Sequence, residues 1–123
     1  MIKLVNRVHM FAQPDAKDDL IAFFVGVLGC EGPFTFEVQG QQEPILVFGF
    51  AGGGSLSIEF VHDALEARDA RRGAWLELVT DDPEGLERKI LDAGLSRIEH
   101  PGTGFFYFQA PGGPVMRIAP AER

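Results

Sequence analysis

The chain carries a single cysteine, Cys30, so no disulfide can close within it and no cysteine-based zinc site can form. Basic residues are also scarce: 11 Lys and Arg stand against 18 Asp and Glu, a formal net charge of −7, and they make no stripe. Such a surface repels a polyanion, which excludes nucleic acid as a partner. Long apolar runs are missing as well. The longest stretches from Leu20 to Cys30 and carries helical spacing, well short of the roughly 20 residues that a helix needs to cross a bilayer, so no membrane partner is expected. After Met1, the run Ile-Lys-Leu-Val-Asn-Arg breaks any apolar signal core with charge, and a cytoplasmic location is expected. No nucleophile elbow, Walker loop or dinucleotide fingerprint is present. Gly52-Gly53-Gly54-Ser55 is glycine-rich, but no helix follows it, and it reads as a hairpin turn.

What remains is enough for one domain: 123 residues, 46% of them apolar, with eleven phenylalanines. Val8, Met10 and Ala12 alternate with Arg7, His9 and Phe11, the period of a strand, which predicts a strand over residues 2–12. Leu20, Ile21, Phe23, Phe24, Val27 and Leu28 then form an apolar helical stripe closed by Gly29, predicting a helix near residues 16–28. Strand-like runs at 33–38, 44–50 and 55–61 follow, separated by Gly40-Gln41-Gln42 and by the glycine triplet.

From Gly73 the order repeats. Leu76, Leu78 and Thr80 alternate with Trp75, Glu77 and Val79; Asp82 is a good N-cap, Pro83 suits the first helical position, and Leu86, Ile90 and Leu91 make the stripe that Gly94 ends. Strands are predicted at 95–99, 104–109 and 115–119, with Pro111-Gly112-Gly113-Pro114 as the turn before the last. The chain is thus read as α+β, one domain of two βαβββ units at about residues 1–61 and 73–123, joined by the charged segment 62–72, a solvated loop or short exposed helix. His62 and His100 fall in loop-like surroundings and are expected at the surface.

Phe23-Phe24-Val25-Gly26-Val27-Leu28-Gly29 is similar to the helix end Phe-Tyr-x-x-x-Leu-Gly of the vicinal oxygen chelate superfamily, which includes glyoxalase I, bleomycin-resistance proteins and extradiol dioxygenases. Asp81-Asp82 with Leu86 through Gly94 resembles that family's second helix, and Ala110-Pro111-Gly112-Gly113 its Asp-Pro-x-Gly turn. The resemblance covers nearly the whole chain. It implies an incomplete barrel of eight strands around a cleft, helices outside, and a divalent metal held by single residues on the first and last strands of each unit.

Those positions can be read one at a time. On the last strand of the first unit, Glu59 matches a ligand position. On the first strand the position falls at His9 or, with a longer turn before the helix, at Arg7; both lie on one strand face. In the second unit the positions fall at Trp75 and Arg117, which do not match. Trp has no lone pair for a hard divalent ion, and a guanidinium places a full positive charge beside it. No metal site is therefore assigned and no cofactor is predicted, although a divalent metal on a reduced set of His9, Glu59 and Glu77 is left open.

The cleft candidates are Arg7, His9, Phe11, Glu59, Trp75, Glu77 and Arg117, with His9 and Glu59 as catalytic candidates. Their plainer readings are an interior histidine for His9 and a Glu59–Arg117 ion pair; most of Phe11, Phe36, Phe48 and Phe50 are expected to fill core. Phe105-Phe106-Tyr107-Phe108 must divide between the two faces of a strand. The expected function is binding of a small organic molecule by a glyoxalase, bleomycin-resistance or dioxygenase-like protein. Alternatives are a metal-dependent lyase or dioxygenase, or a metal-independent isomerase using His9 and Glu59. A homodimer is expected, since eleven phenylalanines in so small a chain leave apolar surface to cover.

Overall fold

The computed structural model describes residues 1–71, 73–99 and 104–120. Arg72 and His100 lie outside the described residues. The chain is α+β and divides into two compact units, Met1–Ala64 and Leu65–Arg123.

The first unit runs β1 (Arg7–Ala12), a 3-10 turn at Pro14–Ala16, α1 (Lys17–Ile21) continuing as a π-helical stretch over Ala22–Val27, then β2 (Glu31–Phe36), β3 (Ile45–Gly49) and β4 (Ser55–Phe60). Its sheet has the order β1-β4-β3-β2, with β1 parallel to β4 and the other neighbours antiparallel. Alternation fixes which face is dry. Met10 stands opposite Ile58, Ala12 opposite Phe60, and Leu46 and Phe48 opposite Ile58 and Leu56. That face is covered by Leu20, Phe23 and Phe24, with the Phe24 ring stacked on Phe48 at 4.9 Å and edge-on to Phe50. Phe48 is thus core, as expected, while Phe11 and Phe36 are exposed on the opposite face.

The first strand is shorter than residues 2–12. Its parallel ladder with β4 begins at Ser55, after the glycine turn, and one residue before Arg7 the Asn6 carbonyl still accepts from the Ser55 amide at 3.1 Å. Val8, near that open end, is correspondingly exposed. The helix predicted at 16–28 is not a uniform α-helix: the Leu28 amide reaches back to the Phe23 carbonyl and Cys30 to Phe24, wider turns that end at Gly29 with φ 74°.

The second unit repeats this plan with α2 (Ala67–Ala70), β5 (Trp75–Thr80), α3 (Pro83–Asp92), β6 (Arg97–Ile98), β7 (Phe106–Gln109) and β8 (Val115–Pro120). The sheet order is β5-β8-β7-β6, again with the first and last strands parallel. Leu76 and Leu78 pair with Met116 and Ile118, Phe106 and Phe108 with Ile118 and Met116, and Ile90 of α3 is fully buried. The charged joining segment is a short exposed helix that belongs with the second unit. Gln109 ties it down, its amide donating to the carbonyls of Ala67 at 2.5 Å and Gly113 at 2.8 Å. Gly113 has φ 113°, and a methyl group there would come within 2.9 Å of Ala70, so the Pro111–Pro114 turn needs glycine both for its backbone and for this contact.

Among the described residues no helix is long and apolar enough to cross a membrane. The predicted cap is formed: the Asp82 carboxylate accepts from the Gly85 amide at 3.1 Å. Asp82→Ala should therefore lower stability by about 1 kcal/mol, whereas Asp81→Ala should leave it nearly unchanged. Denaturant unfolding of both variants checks this; equal losses would show that the cap contributes nothing particular.

Candidate functional site

Each sheet turns one face toward its helix, and the residues singled out from sequence lie on the opposite face, called the open face below. Parity explains it: side chains two apart on a strand share a face, so Arg7, His9 and Phe11 rise together, as do Ser57 with Glu59 and Trp75 with Glu77.

On the first sheet the parallel register sets His9 beside Ser57 and Phe11 beside Glu59. The His9 ring joins two groups of the neighbouring strand, with Nδ1 2.6 Å from Ser57 Oγ and Nε2 3.0 Å from Glu59 Oε1. The Gln41 amide donates to the other oxygen of Glu59 at 2.5 Å, and Phe11 lies edge-on to the His9 ring at 5.2 Å. Hydrogen bonds from Gln41 and His9 hold the Glu59 carboxyl below its ordinary value of 4.5, against partial desolvation. His9 is therefore not a buried interior histidine; its side chain is 39% exposed and faces a carboxylate.

On the second sheet Arg117 is the centre. Its register partner on β5 is Glu77, and the two form an ion pair through Nη2 and Oε1. The guanidinium lies 4.2 Å from the centre of the Trp75 ring and 4.5 Å from that of Phe105, with Tyr107 Oη 3.5 Å from Nη1. Cation–π attraction of this kind is worth about 1 kcal/mol where partly desolvated. Among the described residues, Arg117 Nε is buried without a hydrogen-bond partner. The Phe105–Phe108 run divides as alternation requires: Phe105 and Tyr107 attend Arg117, while Phe106 and Phe108 go to the helix side.

Each charge has a partner inside its own unit, Glu59 in His9 and Arg117 in Glu77. The physical reason is the parallel register, which delivers a partner to each charge from the adjacent strand. Arg7 lies on the open face and is exposed; His62 is exposed too. Four contributors escaped the sequence reading as members of the site. Ser57 was detectable, being two residues before Glu59 on the same face; Tyr107 and Phe105 were legible only as a divided cluster. Gln41 comes from a turn, where no periodicity points.

The metal implied by the family resemblance does not fit the second unit. Trp75 and Arg117 stand at the two ligand positions, and a guanidinium stacked on that ring and paired with Glu77 would repel a divalent ion. Among the described residues no group of three or more His, Cys, Asp or Glu side chains is placed to hold one ion. Cys30 offers no reactive thiolate, since burial pushes its thiol up to about 11.

No family model matches the chain, and no curated protein sequence does. Solved structures do match it. A fosfomycin resistance protein of Listeria monocytogenes, complexed with Mn(II) and 1S,2S-dihydroxypropylphosphonic acid, superposes with a TM-score of 0.75 at 14% identity, covering 99% of this chain and 95% of that one. The trypanothione-dependent glyoxalase I of Leishmania major gives 0.76 at 10% identity over 97% and 87% of the two chains. An antibiotic binding protein from Streptomyces gives 0.66 at 16% identity over 98% of each. The chain has the vicinal oxygen chelate fold.

Glu59 ionises more readily folded than unfolded, so its contribution to stability is complete above the ordinary glutamate value of 4.5 and is lost as pH falls through the lower folded value. The melting temperature of wild type should exceed that of Glu59→Gln at neutral pH, and the gap should close on acidification below 4.5. A gap that stays constant across this range would contradict the ionised His9–Glu59–Gln41 arrangement.

Proposed function

We propose that this protein, which has the vicinal oxygen chelate fold, is a metal-independent binding protein for a small organic molecule with an aromatic or apolar body and an oxygen-rich, anionic head. The observation that carries the reading is Arg117, whose guanidinium stands where a metal ligand is expected and lies over Trp75 and Phe105. An arginine so held has its orientation fixed before a ligand arrives, which reduces the ordering cost of binding. Its buried Nε lacks an acceptor, and a carboxylate or other polar oxygen would supply one through a charge-assisted hydrogen bond. The rings of Trp75 and Phe105 offer apolar area for the ligand's body. The drug-binding and small-molecule-converting proteins that share the fold agree with this class of ligand. In this reading residues 1–123 act as one functional domain, in the cytoplasm, without a bound metal.

Glu77 sets the affinity. It already neutralises Arg117, so an anionic head competes with it or shares the guanidinium's remaining donors. Losing a charge-assisted contact costs on the order of 1.5–3 kcal/mol. Arg117→Ala should therefore weaken binding of small aromatic carboxylates about tenfold or more, whereas Glu77→Gln should strengthen it. A thermal-shift screen of carboxylates, phenols and cationic aromatics against the three proteins is the test. Stabilisation by cationic compounds alone, undiminished in Arg117→Ala, would overturn the anionic head. One zinc, iron, manganese or nickel per chain after desalting, released by Glu59→Ala, would overturn metal independence.

We also propose a homodimer. Phe34 and Phe36 are 58% and 65% exposed on the open side of the first sheet, at its edge strand, where unpaired backbone and apolar rings favour a partner. Sedimentation at micromolar concentration should give a species of twice the chain mass, and only a 13.5 kDa species would refute it.

A further inference from the structure

We propose that Ser57, His9 and Glu59 form a nucleophilic relay on the open face of the first unit, in which Ser57 takes an acyl group from an activated ester. The donors settle the direction of each bond. A carboxylate only accepts, so His9 Nε2 carries the proton directed at Glu59 Oε1, 3.0 Å away. In the neutral ring Nδ1 then presents a lone pair, and Ser57 Oγ donates to it at 2.6 Å. The only other acceptor found for that hydroxyl among the described residues, the Val8 carbonyl, is 3.5 Å away and too distant to compete. A hydroxyl, a base in contact with it, and a third group orienting the base are the three parts of an activated nucleophile.

Two further features favour catalysis over a merely structural chain. Glu59 is itself held by Gln41 at 2.5 Å and kept ionised, so it can stabilise the imidazolium that forms when His9 accepts a proton. Ser57 also sits at the boundary between polar and apolar halves of the face: the register places His9 on one side of it and Val47, then Phe34, on the other. An ester with an apolar acyl group could lie along Val47 and Phe34 with its carbonyl carbon at Ser57.

The step balances without any oxidant or cofactor. Ser57 Oγ bonds to the carbonyl carbon while its proton passes to His9 Nδ1; the bond to the alkoxide breaks, and that proton leaves with the alcohol. Water then attacks the acyl-serine, giving a proton to His9, which returns it to Ser57 as the acid departs. Ester and water become acid and alcohol. This chemistry uses the first unit alone and is independent of the ligand proposed for Arg117.

A fluorophosphonate probe tests it, because phosphonylation traps the same nucleophile with loss of fluoride. Intact mass and peptide mapping should find one adduct per chain at Ser57 in wild type and none there in Ser57→Ala. In His9→Gln the labelling rate should fall by about 100-fold or more, the scale of lost general-base assistance. Circular dichroism establishes that the variants are folded; should His9→Gln unfold, Glu59→Gln takes its place and must also slow labelling. No adduct in wild type, an adduct at another residue, or a rate unchanged by both His9→Gln and Glu59→Gln would overturn the proposal.

Discussion

The parallel pairing of first and last strands is the constraint on which both candidate sites depend. In a parallel ladder, residues of equal parity stand side by side, so a polar residue on the first strand always meets a neighbour from the last strand on the same face. In the first unit this brings His9 to Ser57 and sets Glu59 two residues further on, on the same face and within reach of the other ring nitrogen. In the second it brings Glu77 to Arg117. The helix-side residues enforce the register, because a slip of one position would turn Leu56, Ile58 and Met116 to solvent and bury Glu59 and Arg117 without partners. Core packing and site chemistry are two faces of one choice.

The same backbone plan supports different chemistry in its two copies. On the first sheet a carboxylate, an imidazole and a hydroxyl are linked in a line, with a glutamine behind them. On the second, a guanidinium is boxed by rings and neutralised by one carboxylate. Neither arrangement leaves an isolated charge, which partial burial would make costly. Each nonetheless keeps capacity to act: a base with an exposed edge in the first, and an N–H without an acceptor in the second.

Most of the architecture was legible because alternation and helix stops are local signals. Asp82 with Pro83 announced α3, Gly94 its end, and the two proline-glycine and glycine-rich turns separated the strands where they occur. Strand ends were less legible, since they depend on the partner: β1 begins at Arg7 because β4 begins at Ser55. The site was half visible. His9, Glu59, Trp75, Glu77 and Arg117 could be placed on open faces from parity alone, but which charge meets which is a cross-strand property. The register supplies each charge with a partner inside its own sheet, His9 for Glu59 and Glu77 for Arg117. Gln41 could not be found at all, because a turn residue reaches Glu59 through the path of a loop and not through any repeat.

The central claim is that Arg117 acts as an anchor for an anionic organic head in place of a metal, and its own Nε–H reports on it most directly. In a nitrogen–proton correlation spectrum of the arginine side chains, assigned with Arg117→Lys, the Arg117 Nε–H should shift on saturation with a small aromatic carboxylate. Equimolar Mn(II) should leave it sharp. Broadening of that signal by Mn(II), with no response to carboxylates, would contradict the account.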